Sequence, residues 1–164
     1  MKKRGFTLIE LVMIIVILGI LVLTAVPKAT TTSSIKLQAA CQKIASDLRY
    51  IQEMAMAQQV RFGISFDTVN ESYFGYRVNI STKTIDPQTR NNLDISFNQL
   101  NEFKGVDIAS TNFNNKMEFD SIGAPYDGNG VILSSQGIVT LQTMGGAYSK
   151  TVRIEPKTGK VSIQ

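Results

Sequence analysis

Histidine and tryptophan are absent from the 164-residue chain, and cysteine occurs once, at Cys41. The missing histidine removes the side chain most often used as a base or a transition-metal ligand near neutral pH. A single cysteine excludes an intrachain disulfide and leaves the redox compartment open. Charge is scarce as well, at 18% of residues. Serine and threonine are plentiful, yet without histidine only a lysine or a carboxylate could activate them, and no spacing supports such a pair. Phosphate-cradling loops are lacking too. The chain is therefore expected to hold no catalytic residues, no metal and no cofactor, and not to be an enzyme. Internal repeats and low-complexity tracts are also missing.

The most informative stretch is the head of the chain. Lys2, Lys3 and Arg4 precede Gly5, and an apolar run extends from Phe6 to Val26 with one charge, Glu10, near its start. At about 1.5 Å per helical residue, such a run matches the roughly 30 Å hydrocarbon core of a bilayer. The basic cluster is expected to stay cytoplasmic and the rest of the chain to lie across the membrane. A secretory signal peptide also opens with a basic region and an apolar stretch. Here the run is longer than that pattern, and Thr24-Ala25-Val26-Pro27 makes a poor cleavage site. A carboxylate inside an apolar span is costly and needs a partner, but the span has no Lys, Arg or His. If the chain were cut between Gly5 and Phe6, an α-ammonium would appear four residues before Glu10. The same subunit's Glu10 could reach it, as could a neighbour's. Pairing between subunits would make Glu10 a register for assembly.

The basic leader, Gly5, Phe6-Thr7-Leu8-Ile9-Glu10 and the unbroken apolar run together resemble the class III signal of type IV pilins and type II secretion pseudopilins. The resemblance implies that a prepilin peptidase cuts after Gly5 and N-methylates Phe6. It also implies a single-pass subunit of the bacterial inner membrane that is later packed into a filament core. Its partners are then other pilins or pseudopilins of that filament, the inner-membrane assembly platform and membrane lipid. Gly19 and Pro27 sit where such proteins commonly carry glycine and proline. On this reading residues 1–5 are a leader peptide and 6–27 a transmembrane and filament-core helix. Residues 28–164 form a periplasmic or extracellular domain, which suits one small domain of about 130 residues. Three of the formal +4 charges belong to Lys2, Lys3 and Arg4, so the remaining side chains sum to +1. The pI near 9.2 thus implies no basic nucleic-acid surface.

Pro27 is expected to kink the helix, and Thr30-Thr31-Thr32-Ser33-Ser34 to extend a weak zone behind it. From Ile35 to Gln59 the helical period returns. Leu37, Cys41, Ile44, Leu48, Ile51 and Ala55 share one face, while Lys36, Lys43, Asp47 and Glu53 fall elsewhere. Cys41 on that face reads as a small buried hydrophobe. The period then changes to two. Val60, Phe62, Ile64 and Phe66 form one alternating strand, Val69 to Ser72 a turn, and Phe74, Tyr76, Val78 and Ile80 a second strand. Ser81 to Asn92, with Pro87, reads as a loop. Short strands are expected at Leu93–Phe97, Val106–Ile108, Lys116–Phe119, Val131–Leu133, Ile138–Gln142, Tyr148–Glu155 and Lys160–Ile163. Gly123 to Gly130 and Pro156 to Gly159 read as turns.

The expected fold is α+β and pilin-like: a long N-terminal helix packed against largely antiparallel β-sheets, with a helix at about 35–59 and a β-rich part at 60–164. That order resembles the minor pseudopilin H (GspH/FimT) family, on Ala45 to Asp67, Phe119-Asp120-Ser121-Ile122-Gly123 and Thr151 to Ile163. The resemblance implies a minor subunit of a type II secretion pseudopilus or type IV pilus-like filament, supporting protein secretion or pilus biogenesis. The alternative is a DNA-binding minor pilin for natural transformation, which would use Lys150, Arg153, Lys157 and Lys160 on phosphates. Nucleic acid is not favoured, because the tail lacks the Arg-rich pattern and lysines also protect sheet edges. Asp127-Gly128-Asn129-Gly130 has oxygen donors at alternate positions, as Ca²⁺ requires, but lacks the later ligands and reads as a turn.

Overall fold

The computed structural model describes residues 7–25, 29–80 and 82–164. The chain divides into two units, residues 1–32 and 33–164. The expected cleavage pair Gly5 and Phe6 and the expected kink at Pro27 lie outside the described residues.

In the first unit, helix α1 spans Leu8–Ala25, 18 residues. From Leu8 to Ile20 its large apolar side chains point out on every side, none less than 44% exposed. A helix apolar all round does not fold onto a core of its own; it needs a surrounding apolar phase.

Helix α2 spans Ala29–Gln58, and its part from Ser33 onward carries the core of the second unit. Leu37, Cys41, Ile44, Leu48, Ile51 and Ala55 are each at most 1% exposed, so the expected apolar face is the buried one. The helix starts at Ala29, earlier than the expected Ile35, and the Thr/Ser run is helical. Poor helix formers cost only tenths of a kcal/mol each, and extending an existing helix is cheap.

Two antiparallel sheets complete the domain. The first contains β1 (Phe62–Asp67), β2 (Ser72–Arg77), β3 (Thr82–Lys83), β4 (Asp94–Ser96), β6 (Lys116–Phe119) and β7 (Pro125–Tyr126). Its order is β3-β2-β1-β6-β7, with β4 also on β2. The second contains β5 (Val106–Thr111), β8 (Gly137–Thr143), β9 (Ser149–Ile154) and β10 (Val161–Ile163), in the order β10-β9-β8-β5. The expectation of an α+β fold, a helix with largely antiparallel sheets, therefore holds. One continuous core joins α2 to inward residues of both sheets, among them Ile64, Met117, Val139, Leu141, Val152 and Ile154.

Two strand expectations are corrected. In β2 the row facing α2 is Tyr73, Gly75 and Arg77, one residue out of step with Phe74, Tyr76, Val78 and Ile80. Tyr73 is fully buried, whereas Ile80 is 60% exposed. The register is set by Gly75, whose missing side chain leaves room for Leu93 and Ile51; a Cβ there would meet them at 2.7 and 3.0 Å. Val131–Leu133 is not a strand, and only an isolated bridge joins Ile132 to Tyr126. Asp127 holds that loop instead, accepting from the amides of Asn129 and Val131, both at 2.9 Å.

Candidate assembly interface

Glu10 sits in the third position of α1, and Thr7 immediately precedes the helix. The Thr7 amide donates to Glu10 Oε2 at 2.9 Å, and the Thr7 hydroxyl donates to the same oxygen at 2.8 Å. The Glu10 amide in turn donates to Thr7 Oγ1 at 3.4 Å. This reciprocal pairing is a capping box, which satisfies amides at a helix start that have no intrahelical acceptor. The Thr-x-x-Glu spacing of Thr7 and Glu10 is its signal in the sequence. Only Oε2 is engaged; among the described residues Oε1 accepts nothing.

The surface behind the box is chemically uniform. Leu8, Ile9, Leu11, Met13, Ile15 and Val16 are all more than half exposed. A Cβ on Gly19 would meet nothing within 4 Å, so that position leaves room for close approach by another helix. Among the described residues, no helix is long and apolar enough to cross a membrane. The expected span, Phe6 to Val26, has both ends outside them.

On the second unit, a buried polar cluster was not legible. Lys43 and Asp47 read as solvent-facing, yet Asp47 is only 5% exposed. Lys43 Nζ lies 2.8 Å from Asp47 Oδ1 and 3.4 Å from Asp86 Oδ2. The Tyr73 hydroxyl donates to Asp47 Oδ2 at 2.7 Å. Burial pushes the Asp47 carboxyl above its ordinary range despite Lys43 and Tyr73. At Asp86 burial acts the same way but is outweighed by the amides of Thr89 and Gln88 and by Lys43, which hold the carboxyl below that range. Full burial, with Asp47 beside it, holds the Tyr73 phenol well above its usual value. The i, i+4 spacing of Lys43 and Asp47 was the available signal. The cluster fastens the loop after β3 onto α2, and every charge in it has a partner.

The remaining candidates resolve one by one. Cys41 is fully buried and its thiol is pushed up to about 11 by burial. The four C-terminal cations do not share a face. Lys150 and Arg153 are three residues apart on β9, and strand alternation places them on opposite sides. Lys150 lines a depression with Gln38 and Gln42 of α2. Asp127 Oδ1 is occupied by two amides, and among the described residues no cluster of acids and cysteine could hold a metal ion.

Comparison with known proteins agrees with this geometry. Residues 1–26 match the family described as the prokaryotic N-terminal methylation motif. No curated protein matches the chain. In three dimensions it is similar to the minor pseudopilin EpsH from the Type 2 Secretion System of Vibrio cholerae. The identity is 10% and the TM-score 0.58, over 79% of this chain and 96% of that one. It is also similar to the type IV minor pilin FimU of Pseudomonas aeruginosa, at 14% identity and TM-score 0.53, over 78% and 92% of the two chains. A second FimU crystal structure gives 12% identity and TM-score 0.52, over 82% and 90%. The fold is that of the minor pilins and pseudopilins, and the resemblance of the N-terminal segment to their methylation signal holds.

Proposed function

We propose that this chain is a minor pilin-like subunit that works by assembly, not catalysis, in a type II secretion pseudopilus or a type IV pilus-like filament. The observation that carries the reading is α1: an apolar helix exposed on every side, opened by Thr7 and Glu10 directly behind a basic segment and Gly5. In this reading Phe6 to Val26 holds the subunit in the inner membrane with Lys2, Lys3 and Arg4 on the cytoplasmic side. A prepilin peptidase removes residues 1–5 and methylates Phe6. The helix then moves into a bundle of like helices supplied by other pilins, driven by an assembly platform. Oε1 of Glu10, which accepts nothing among the described residues, is available to a neighbour's Phe6 ammonium while Oε2 keeps the helix start capped. Separation of Lys150 from Arg153 counts against a DNA-gripping tail.

Mass spectrometry of the mature N-terminus tests the reading. The expected product begins at a methylated Phe6, and replacing Gly5 by a bulky residue blocks its formation. A mature chain beginning near Ala29 would mean that a signal peptidase had acted, and would overturn it. Glu10→Ala is expected to leave membrane insertion and cleavage intact while reducing co-purification with partner pilins. Loss of insertion itself in that variant would refute the role given to the carboxylate.

A further inference from the structure

The second unit has two ends along α2, and they differ in character. At one end Gln52 Nε2 donates to the carbonyls of Gly123 and Thr158, so the turns after β6 and β9 gather there. At the other, where the unit begins at Ser33, Lys36 Nζ donates to the Lys104 carbonyl at 3.3 Å. The Met144 amide donates to the adjacent Gly105 carbonyl at 2.8 Å, which brings the turn between β8 and β9 to the same place. Lys150 lines a depression there with Ile35 and Gln38. Met144, Tyr148 and Ile35 are 80%, 41% and 67% exposed. Among the described residues, none of Lys36, Lys104 and Lys150 forms an ion pair. The acids nearest in sequence are Glu102 and Asp107. Asp107 lies between the buried Val106 and Ile108 on β5 and therefore faces away from the core. An exposed apolar turn is thus flanked by three cations at the end of the unit that the chain enters.

We propose that this end of the domain rests on a bilayer surface rich in anionic lipid. Met144 and Tyr148 enter the headgroup layer, and the three lysines lie against lipid phosphates. Exposed aliphatic and aromatic side chains beside lysines are the composition that holds a protein at an anionic interface. The length of the tether supports the same occupant. Residues 26–32 cover at most about 25 Å fully extended, and less because α2 already begins at Ala29. With α1 in a bilayer, Ser33 stays within that distance of its surface, whereas Gln52 lies about 28 Å further along α2. The proposal rests on the membrane-anchored stage of the assembly reading and adds to it a second, peripheral contact with lipid.

The full chain reconstituted in lipid nanodiscs tests this, with Met144→Trp as reporter in a sequence that has no tryptophan of its own. The lipid is phosphatidylcholine with or without phosphatidylglycerol, its acyl chains brominated close to the headgroup. In the anionic bilayer the emission is expected to fall at least twofold against an unbrominated control. It should recover in phosphatidylcholine alone, and when Lys36, Lys104 and Lys150 are replaced by Gln. Ile122→Trp, at an exposed position beside Gly123 and so at the Gln52 end, should keep its full emission. Tyr148→Trp is the second reporter if Met144→Trp does not fold. An unquenched reporter in chains that co-float with the bilayer overturns the proposal and leaves the anchor standing. Chains that do not co-float remove the anchor and the proposal together. Equal quenching in Met144→Trp and Ile122→Trp overturns it, as does quenching that neither the lysine substitutions nor phosphatidylcholine alone relieves. A blue shift of the reporter seen only with several chains per disc would overturn lipid as the occupant in favour of a second copy.

Discussion

At the scale of single residues, burial and satisfaction of polar atoms decide what each side chain does. Leu48 is fully buried on α2, so Leu48→Ala should cost about 2–5 kcal/mol in a denaturant titration. The buried acids give a sharper test because their shifts have opposite signs. Asp86 is held below its ordinary value of 3.8. Its stabilising contribution is therefore complete above that value and lost as pH falls through the lower folded value. Asp47 is raised above 3.8, so protonation favours its folded form and stability is gained as pH falls through its folded value. Asp86→Asn should flatten the acid limb of a melting temperature against pH profile, and Asp47→Asn should steepen it. Identical acid limbs in both variants would rule out this division of roles.

At the scale of elements, strand partners impose close approaches that the sequence pattern does not state. Gly63 pairs with Tyr76 on one side and Glu118 on the other. A Cβ there would sit 2.9 Å from the Met117 carbonyl oxygen, which is backbone, whereas at Gly75 it would meet the ends of Leu93 and Ile51. Gly63→Ala should therefore lower the melting temperature more than Gly75→Ala. Beside it, the Tyr76 hydroxyl donates to Glu118 Oε1 at 2.7 Å, with Arg61 Nη1 3.6 Å from the other oxygen. Tyr76→Phe should cost about 1–3 kcal/mol in the same measurement, because Glu118 is only 8% exposed. The face of α2 and the alternation of β1 were legible because each follows a single period over many residues. The register of β2 was not, since Tyr73 reads as an outward residue until Asp47 is found behind it. The capping box was legible as a spacing.

At the scale of the molecule, the core from Leu37 to Val161 belongs wholly to the second unit. A fragment of residues 33–164 should therefore fold alone, with one cooperative thermal transition by circular dichroism; a gradual, non-cooperative melt would show that the first unit is needed. Two loops of this unit are joined by one side chain, since Gln52 Nε2 donates to the Gly123 carbonyl at 2.8 Å and to the Thr158 carbonyl at 2.9 Å. Gly159, at φ +65, has no room for a Cβ, which would lie 2.4 Å from Gln52 Nε2 and 2.5 Å from the Gly123 oxygen. Gly159→Ala should loosen both loops together, seen as faster amide exchange in each.

The placement of Cys41 has a practical consequence. A lone thiol, fully buried in the middle of α2 and with little thiolate at neutral pH, reports on the opening of the domain and on little else. Its trapping rate by an alkylating reagent becomes a clock for global unfolding, with no probe to be engineered and no second thiol to confuse the count. Because that clock needs only a small reagent and a mass spectrum, it can be read on the chain alone and, under the proposed function, on the same chain among its neighbours. The ratio of the two rates then measures how far an assembly restrains its member from coming apart.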